Sequence, residues 1–212
     1  MLKNYLTVQS EGQAEIIIQK SRFIGHIKRT ETEEEAQTFI RKIKKEHSQA
    51  THNCSAYLIG EHDQIQKAND DGEPSGTAGI PMLEVLKKNG LKDTCVVVTR
   101  YFGGIKLGAG GLIRAYSKTT SEAIQETGIV KRQLMKQVTI TIDYPLLGKI
   151  ENELHQNEYL IETIDYLEHV AFHVLVAVDQ IDAFSTWMID LTSDQAELKI
   201  NKEKYIEIPY QD

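Results

Sequence analysis

The sequence predicts an α+β protein built as two domains. Three observations carry that prediction. The last third of the chain reads strand, helix, strand, strand, helix, strand. Net charge changes sign near residue 133: residues 1–133 hold 19 Lys+Arg against 16 Asp+Glu, net +3, and residues 134–212 hold 5 against 15, net −10. Two glycine-rich stretches, "DDGEPSGTAGIP" (70–81) and "RYFGGIKLGAGGL" (100–112), each lead into a helical pattern. The boundary is therefore placed between 133 and 134, giving domains 1–133 and 134–212.

The elements follow in order. "AEIIIQKSRFIGHIKRT" (14–30) is rich in β-branched residues and reads as one or two strands with a turn or bulge, Gly25 being central. "TETEEEAQTFIRKIKKEH" is a helix. Thr32 and Glu35 have capping-box spacing, and Ala36, Phe39, Ile40 and Ile43 share one face. Acidic residues open it and lysines close it, as the helix dipole favours. "NCSAYLIG" (53–60) is a strand, and "EHDQIQKAND" turns out of it. Pro81 suits the first turn of a helix through "MLEVLKKN", and Gly90 suits its end. "TCVVVTRYF" (94–102) is a buried strand, and "LIRAYSKTTSEAIQET" is a helix stopped by Gly128.

Beyond the boundary, "KQVTITIDYP" is a strand and "LLGKIENELHQN" a short helix. "EYLIETIDYLEHVAFHVLVAVD" is two strands around a turn, "QIDAFSTWMIDLT" a helix, and "AELKINKEKYIEI" a last strand. This βαββαβ order is the split-βαβ, ferredoxin-like signature.

Composition excludes several classes. The chain of 212 residues is 41% hydrophobic and 26% charged, which is globular. No apolar run approaches a membrane span, and no basic-then-apolar leader opens the sequence. Cys54 and Cys95 are not spaced as a metal pair and read as reduced thiols, so a cytoplasmic location is expected. The acidic second part repels phosphates. Nucleic acid, if bound, meets the first part, and the acidic domain suits a protein partner.

The chemistry concentrates in the two glycine stretches. A helix start leaves about four backbone N–H groups unpaired, and glycine permits the backbone's close approach. Two such loops brought together make an anion cradle. Its candidate members are Ser75, Gly76 and Thr77 from the first loop, and Arg100, Tyr101, Gly103, Gly104, Lys106, Gly108, Gly110, Gly111, Arg114 and Lys118 from the second and its helix. Tyr101 or Phe102 can stack on a base.

The P-loop pattern fails, because Ala109 stands where lysine is required. The dinucleotide pattern fails at Ile113. Asp70, Asp71 and Glu73 read as loop-fixing or capping acids, with Asp71 pairing Arg100 or Arg114. The alternative is a Mg²⁺ site serving a phosphorylated substrate. No other cofactor is indicated. His52 near a strand start is a polar contact of the cleft, and Cys54 a small buried hydrophobe. Three readings stay open for the glycines: helix–sheet packing, anion or nucleic-acid contact, and catalysis.

"SRFIGH" (21–26), "HNCSAY" (52–57), "DDGEPSGTAGIPML" (70–83) and "VVVTRYFGGIKLGAGGLIRAYS" (96–117) together resemble the IMPACT family, in its bacterial YigZ/YvyE-type branch. The resemblance implies an N-terminal domain like the second domain of ribosomal protein S5, with helices on one face of a mixed sheet. It implies a C-terminal ferredoxin-like domain like one in the translocation elongation factor. Eukaryotic members regulate translation through protein contacts made partly by a further domain that this chain lacks. For the bacterial branch the resemblance implies an RNA- or ribosome-linked binding role rather than an enzyme. It selects the glycine-loop residues named above.

Overall fold

A two-residue turn organises the first sheet. Gln19 and Lys20 both have positive φ, 45° and 65°, and fold Gly12–Ile18 (β2) back onto Ser21–Arg29 (β3) with Ile18 opposite Ser21. Such a backbone matches the natural twist of a hairpin. The reversal therefore falls at Gln19–Lys20, not at Gly25. Gly25 lies mid-strand, opposite Ala14 and Val98.

This computed structural model describes residues 2–210. Its contacts divide the described chain into two units: residues 5–131 with 208–210, and residues 2–4 with 132–207.

In the first unit, β1 (Asn4–Val8) receives a hydrogen bond at Leu6 O from Lys92 N, 2.8 Å. The remaining elements are α1 (Glu33–Glu46), β4 (His52–Ile59), β5 (Ile65–Asn69), α2 (Gly79–Lys88), β6 (Thr94–Tyr101) and α3 (Gly108–Thr127). The sheet order is β2-β3-β6-β4-β5, and every pairing is antiparallel. β5 occupies residues expected to form only a turn. It is a short edge strand whose half-exposed and exposed residues carry no apolar alternation.

Helices cover both faces of this sheet. Phe23, Cys54, Ala56, Leu58, Val96 and Val98 pack with Met82 and Leu86 of α2 and Leu112, Ala115 and Tyr116 of α3. On the other face Tyr57, Ile59, Cys95 and Val97 meet Ala36, Phe39, Ile40 and Ile43 of α1. The expectation of a mixed sheet covered on one face is corrected. β4 and β6 are apolar at nearly every position, so neither face tolerates water. Gly25 permits a close approach of α3: a Cβ there would stand 2.9 Å from Thr119 O and 3.1 Å from the Ala123 Cβ of α3.

The second unit contains most of β7 (Ile129–Ile142), which continues unbroken through residues 133 and 134, with α4 (Leu147–Gln156), β8 (Leu160–Tyr166), β9 (Val170–Ala177), α5 (Ile181–Thr192) and β10 (Glu197–Pro209). The order β10-β7-β9-β8 is the ferredoxin-like arrangement. Val138, Ile140, Phe172, Val174, Ile150, Leu154, Phe184 and Met188 form its core. Alternate residues of the same strands carry polar side chains. Thr139 Oγ1 lies 3.0 Å from His173 Nδ1, whose Nε2 lies 2.9 Å from Asp165, and Glu162 is held by Gln137 and Lys204. Among the described residues no helix is long and apolar enough to cross a membrane.

Candidate functional site

The acids of the first loop build it from within. Asp70 Oδ1 accepts from Ala78 N and Gly79 N at 3.0 and 2.8 Å, and Oδ2 accepts from Gly76 N at 2.8 Å. It thus caps α2, whose own N-cap residue Ala78 offers no side-chain acceptor. Burial pushes its carboxyl up, but the Gly76, Gly79 and Ala78 N–H groups outweigh burial and hold it below the usual value. Asp71, at φ 46°, binds Lys44 Nζ at 2.6 Å and Asn53 N at 2.7 Å. Its expected pairing with Arg100 or Arg114 is therefore corrected. The positive φ swings its side chain toward α1, and Glu73 takes Arg100 instead.

Glu73 and Arg100 form a buried ion pair, 2.6 Å from Oε1 to the NH1 nitrogen, with side chains only 3% and 6% exposed. Tyr116 Oη donates to the same Oε1 at 2.8 Å. Cys54 Sγ stands 3.4 Å from Tyr116 Oη and 3.0 Å from Asp70 O. Burial pushes the Cys54 thiol up to about 12, and burial, with Cys54 and Glu73 adjacent, raises the Tyr116 phenol as well. Both stay protonated at neutral pH, so Cys54 is no nucleophile. Arg100 is correspondingly not the free phosphate contact the sequence suggests. Its terminal nitrogens go to Glu73 and to Ser21 Oγ, 3.4 Å away, while its Nε is buried without a partner among the described residues.

Ser21 also ties down the second loop. Its Oγ accepts from Gly103 N at 3.2 Å, while Phe102 N donates to Thr51 Oγ1 at 3.1 Å. Gly103 sits so tightly on this hairpin that a Cβ would fall 2.0 Å from the Lys20 carbonyl carbon. Gly104 and Gly108 have φ of 84° and 70°, which redirect the chain into α3. The helix begins without a side-chain cap at Leu107 and without an acidic residue in its first turn. Its N-terminal N–H groups and partial positive charge are left uncompensated by its own sequence.

The two loops converge. A cavity of about 430 Å³ lies between them, lined by Glu73 and Pro74 from the first and by Phe102, Lys106, Leu107, Gly108 and Ala109 from the second. Thr51, His52, Arg100 and Leu112 complete it. Other named residues lie elsewhere. Ser75 is exposed on the turn, Gly76 lines a groove between α2 and α3, and the Thr77 hydroxyl donates to Pro74 O. Tyr101 alternates to the opposite sheet face and meets His47 Nδ1 at 2.9 Å, so Phe102 is the aromatic of the cleft. Gly110, Gly111, Arg114 and Lys118 belong to the first turns of α3 outside the lining. Arg114 reaches back toward Gly110.

As a Mg²⁺ site the acids fit poorly. Asp70, Asp71 and Glu73 diverge, each onto protein donors of its own. Among the described residues no three metal-ligating side chains come together.

Sequence reasoning missed the parts that join across the fold. Ser21 and Tyr116 lie 79 and 43 residues from their partners Arg100 and Glu73. His52 faces Glu73 with Nε2 3.7 Å from Oε2. His52 itself was expected, from its place at a strand start, as a polar contact of the cleft, and it lines it.

The fold and cleft define a two-unit α+β protein, and the comparisons agree. Residues 19–124 match the Impact N-terminal domain, and residues 140–195 match a domain of unknown function, DUF1949. The chain belongs to the IMPACT family. It is 59% identical to the IMPACT family member YvyE of Bacillus subtilis, over 98% of this chain and 95% of that one. It is 35% identical to YigZ of Escherichia coli, over 85% and 90%. A crystal structure described only as a hypothetical protein superposes with TM-score 0.61 at 31% identity, covering 95% of this chain and 99% of the other.

Proposed function

We propose that the cleft of the first unit binds a phosphate group of RNA, and that the chain acts as a binding protein of the translation apparatus in the cytoplasm. The observation that carries this is the meeting of both glycine loops at the uncapped N-terminus of α3, with Lys106 in the wall. Glu73, the one carboxylate lining the cleft, is offset by Arg100. Phe102, 47% exposed, offers a stacking face beside the phosphate seat. The family resemblance to translation regulators supplies the cellular setting. The chain from residue 134 onward, net −10, repels RNA and suits a protein partner.

The test is binding of the intact protein to ribosomal and transfer RNA across a salt series. Affinity should fall steeply with salt. Lys106→Ala should lower the slope by about one unit. Absence of binding at low salt, or a slope unmoved by Lys106→Ala, overturns the reading.

A further inference from the structure

The cleft wall holds two acceptors with nothing between them. His52 Nδ1 lies 2.8 Å from the backbone oxygen of Asp71. A carbonyl only accepts, so Nδ1 carries the proton and Nε2 of the neutral ring presents a lone pair. That nitrogen faces Glu73 Oε2 at 3.7 Å, too far for a hydrogen bond. Oε2 receives no hydrogen bond from the protein, since Arg100 and Tyr116 both spend theirs on Oε1. Glu73 is itself buried, 8% exposed. Its Oε2 is open to the cleft, so a ligand's donor can take the place of water there. Both residues line the cleft into which the α3 N-terminus opens.

The cleft therefore asks two things of an occupant: an anion for the helix terminus and Lys106, and a hydrogen-bond donor close to that anion for Oε2 and Nε2. An RNA chain carries this combination at each internal nucleotide, where the ribose 2′-hydroxyl is adjacent to the 3′-phosphate. DNA has the phosphate and lacks the donor. We infer that His52 and Glu73 form a 2′-hydroxyl reader that makes the cleft selective for RNA over DNA. The hydroxyl donates to Glu73 Oε2. With one proton to give, the hydroxyl places it on Oε2 and lies beside His52 Nε2, which stands 3.7 Å from that oxygen. Arg100 and Tyr116 hold the Glu73 carboxylate in place from behind. The inference rests on the phosphate-binding reading above and specifies which polymer fills the cleft.

Binding of a mixed-sequence single-stranded oligoribonucleotide, its DNA counterpart and its 2′-O-methyl form tests it, on the wild-type chain and on His52→Gln and Glu73→Gln. RNA should bind about tenfold more tightly than DNA, the worth of one hydrogen bond to a charged group. The salt slopes of the two polymers should match. The methylated strand should bind like DNA, and the RNA-to-DNA ratio should fall toward one in both variants. Because the three strands probe the wild-type protein, the result does not depend on the variants folding. Equal binding of RNA and DNA overturns the reader and leaves the phosphate cleft standing. An RNA preference that survives methylation, or that persists in His52→Gln, overturns it too. Failure of every strand to bind at low salt overturns both readings.

Discussion

The same polar vocabulary appears in both units with opposite stakes. In the first, a glutamate, a cation, a hydroxyl and a histidine meet around Glu73, whose side chain and Arg100 are 3% and 6% exposed. In the second, Glu162 meets Lys204 and Gln137, and His173 meets Asp165 and Thr139, on a sheet face where Lys204 is 49% and Glu162 22% exposed. Water replaces any partner lost from the open sheet face. At the buried Glu73–Arg100 pair it cannot, so each of those groups depends on its neighbours. The difference teaches that burial, not residue type, decides which charges matter to this fold. The buried set is the one placed where a ligand can enter.

Four substitutions sharpen that comparison, from the largest expected effect downward. Arg100→Ala leaves Glu73 charged and uncompensated in the interior, and should cost about 3–5 kcal/mol by chemical denaturation. A loss below about 1 kcal/mol would erase the contrast between the units.

The next prediction concerns pH. Burial, and to a lesser degree the His47 ring, lowers the His26 pKa from 6.5 to about 4. The unfolded chain then takes up a proton between those values while the folded one does not. Stability should therefore fall as pH drops from about 6.5 to about 4, by about 3 kcal/mol in all. His26→Leu should flatten that part of the profile, as read by denaturant midpoints at each pH.

Asp70→Ala removes the acceptor of three N–H groups and should cost about 2 kcal/mol. Thermal melts at neutral pH measure this. An intact melting point would show that the loop does not depend on its acid. Lys204→Ala, the counterpart on the open sheet face, should change stability by no more than about 0.5 kcal/mol. A loss as large as that of Arg100→Ala would mean exposure is not the deciding variable.

Much of the architecture was legible in the residues. Thr32 does cap α1 through Glu35 N at 3.2 Å, a local contact, while the Glu35 carboxylate accepts from Glu31 N rather than closing the box on Thr32 N. The βαββαβ order of the second unit follows from alternation and turn residues that act within a few positions. Capping by an acid of the first loop was legible as a class of interaction. Its span was not: Asp70 reaches N–H groups six to nine residues on. The hairpin turn at Gln19–Lys20 was hidden, since two ordinary residues adopt the left-handed backbone while Gly25 sits flat beneath α3. β5 was hidden because an exposed edge strand shows no apolar periodicity.

The sequence alone determined the fold class, the glycine loops and the uneven charge, since these rest on local propensity and composition. Only the tertiary structure decided which charges are free. Arg100 and Lys106 lie six residues apart and read alike as cations. Alternation along β6 turns Arg100 inward onto Glu73, while Lys106 follows in the loop beyond the strand, in the cleft wall. Whether a charge faces a ligand or a partner depends on chain segments tens of residues away, and no local pattern encodes that distance.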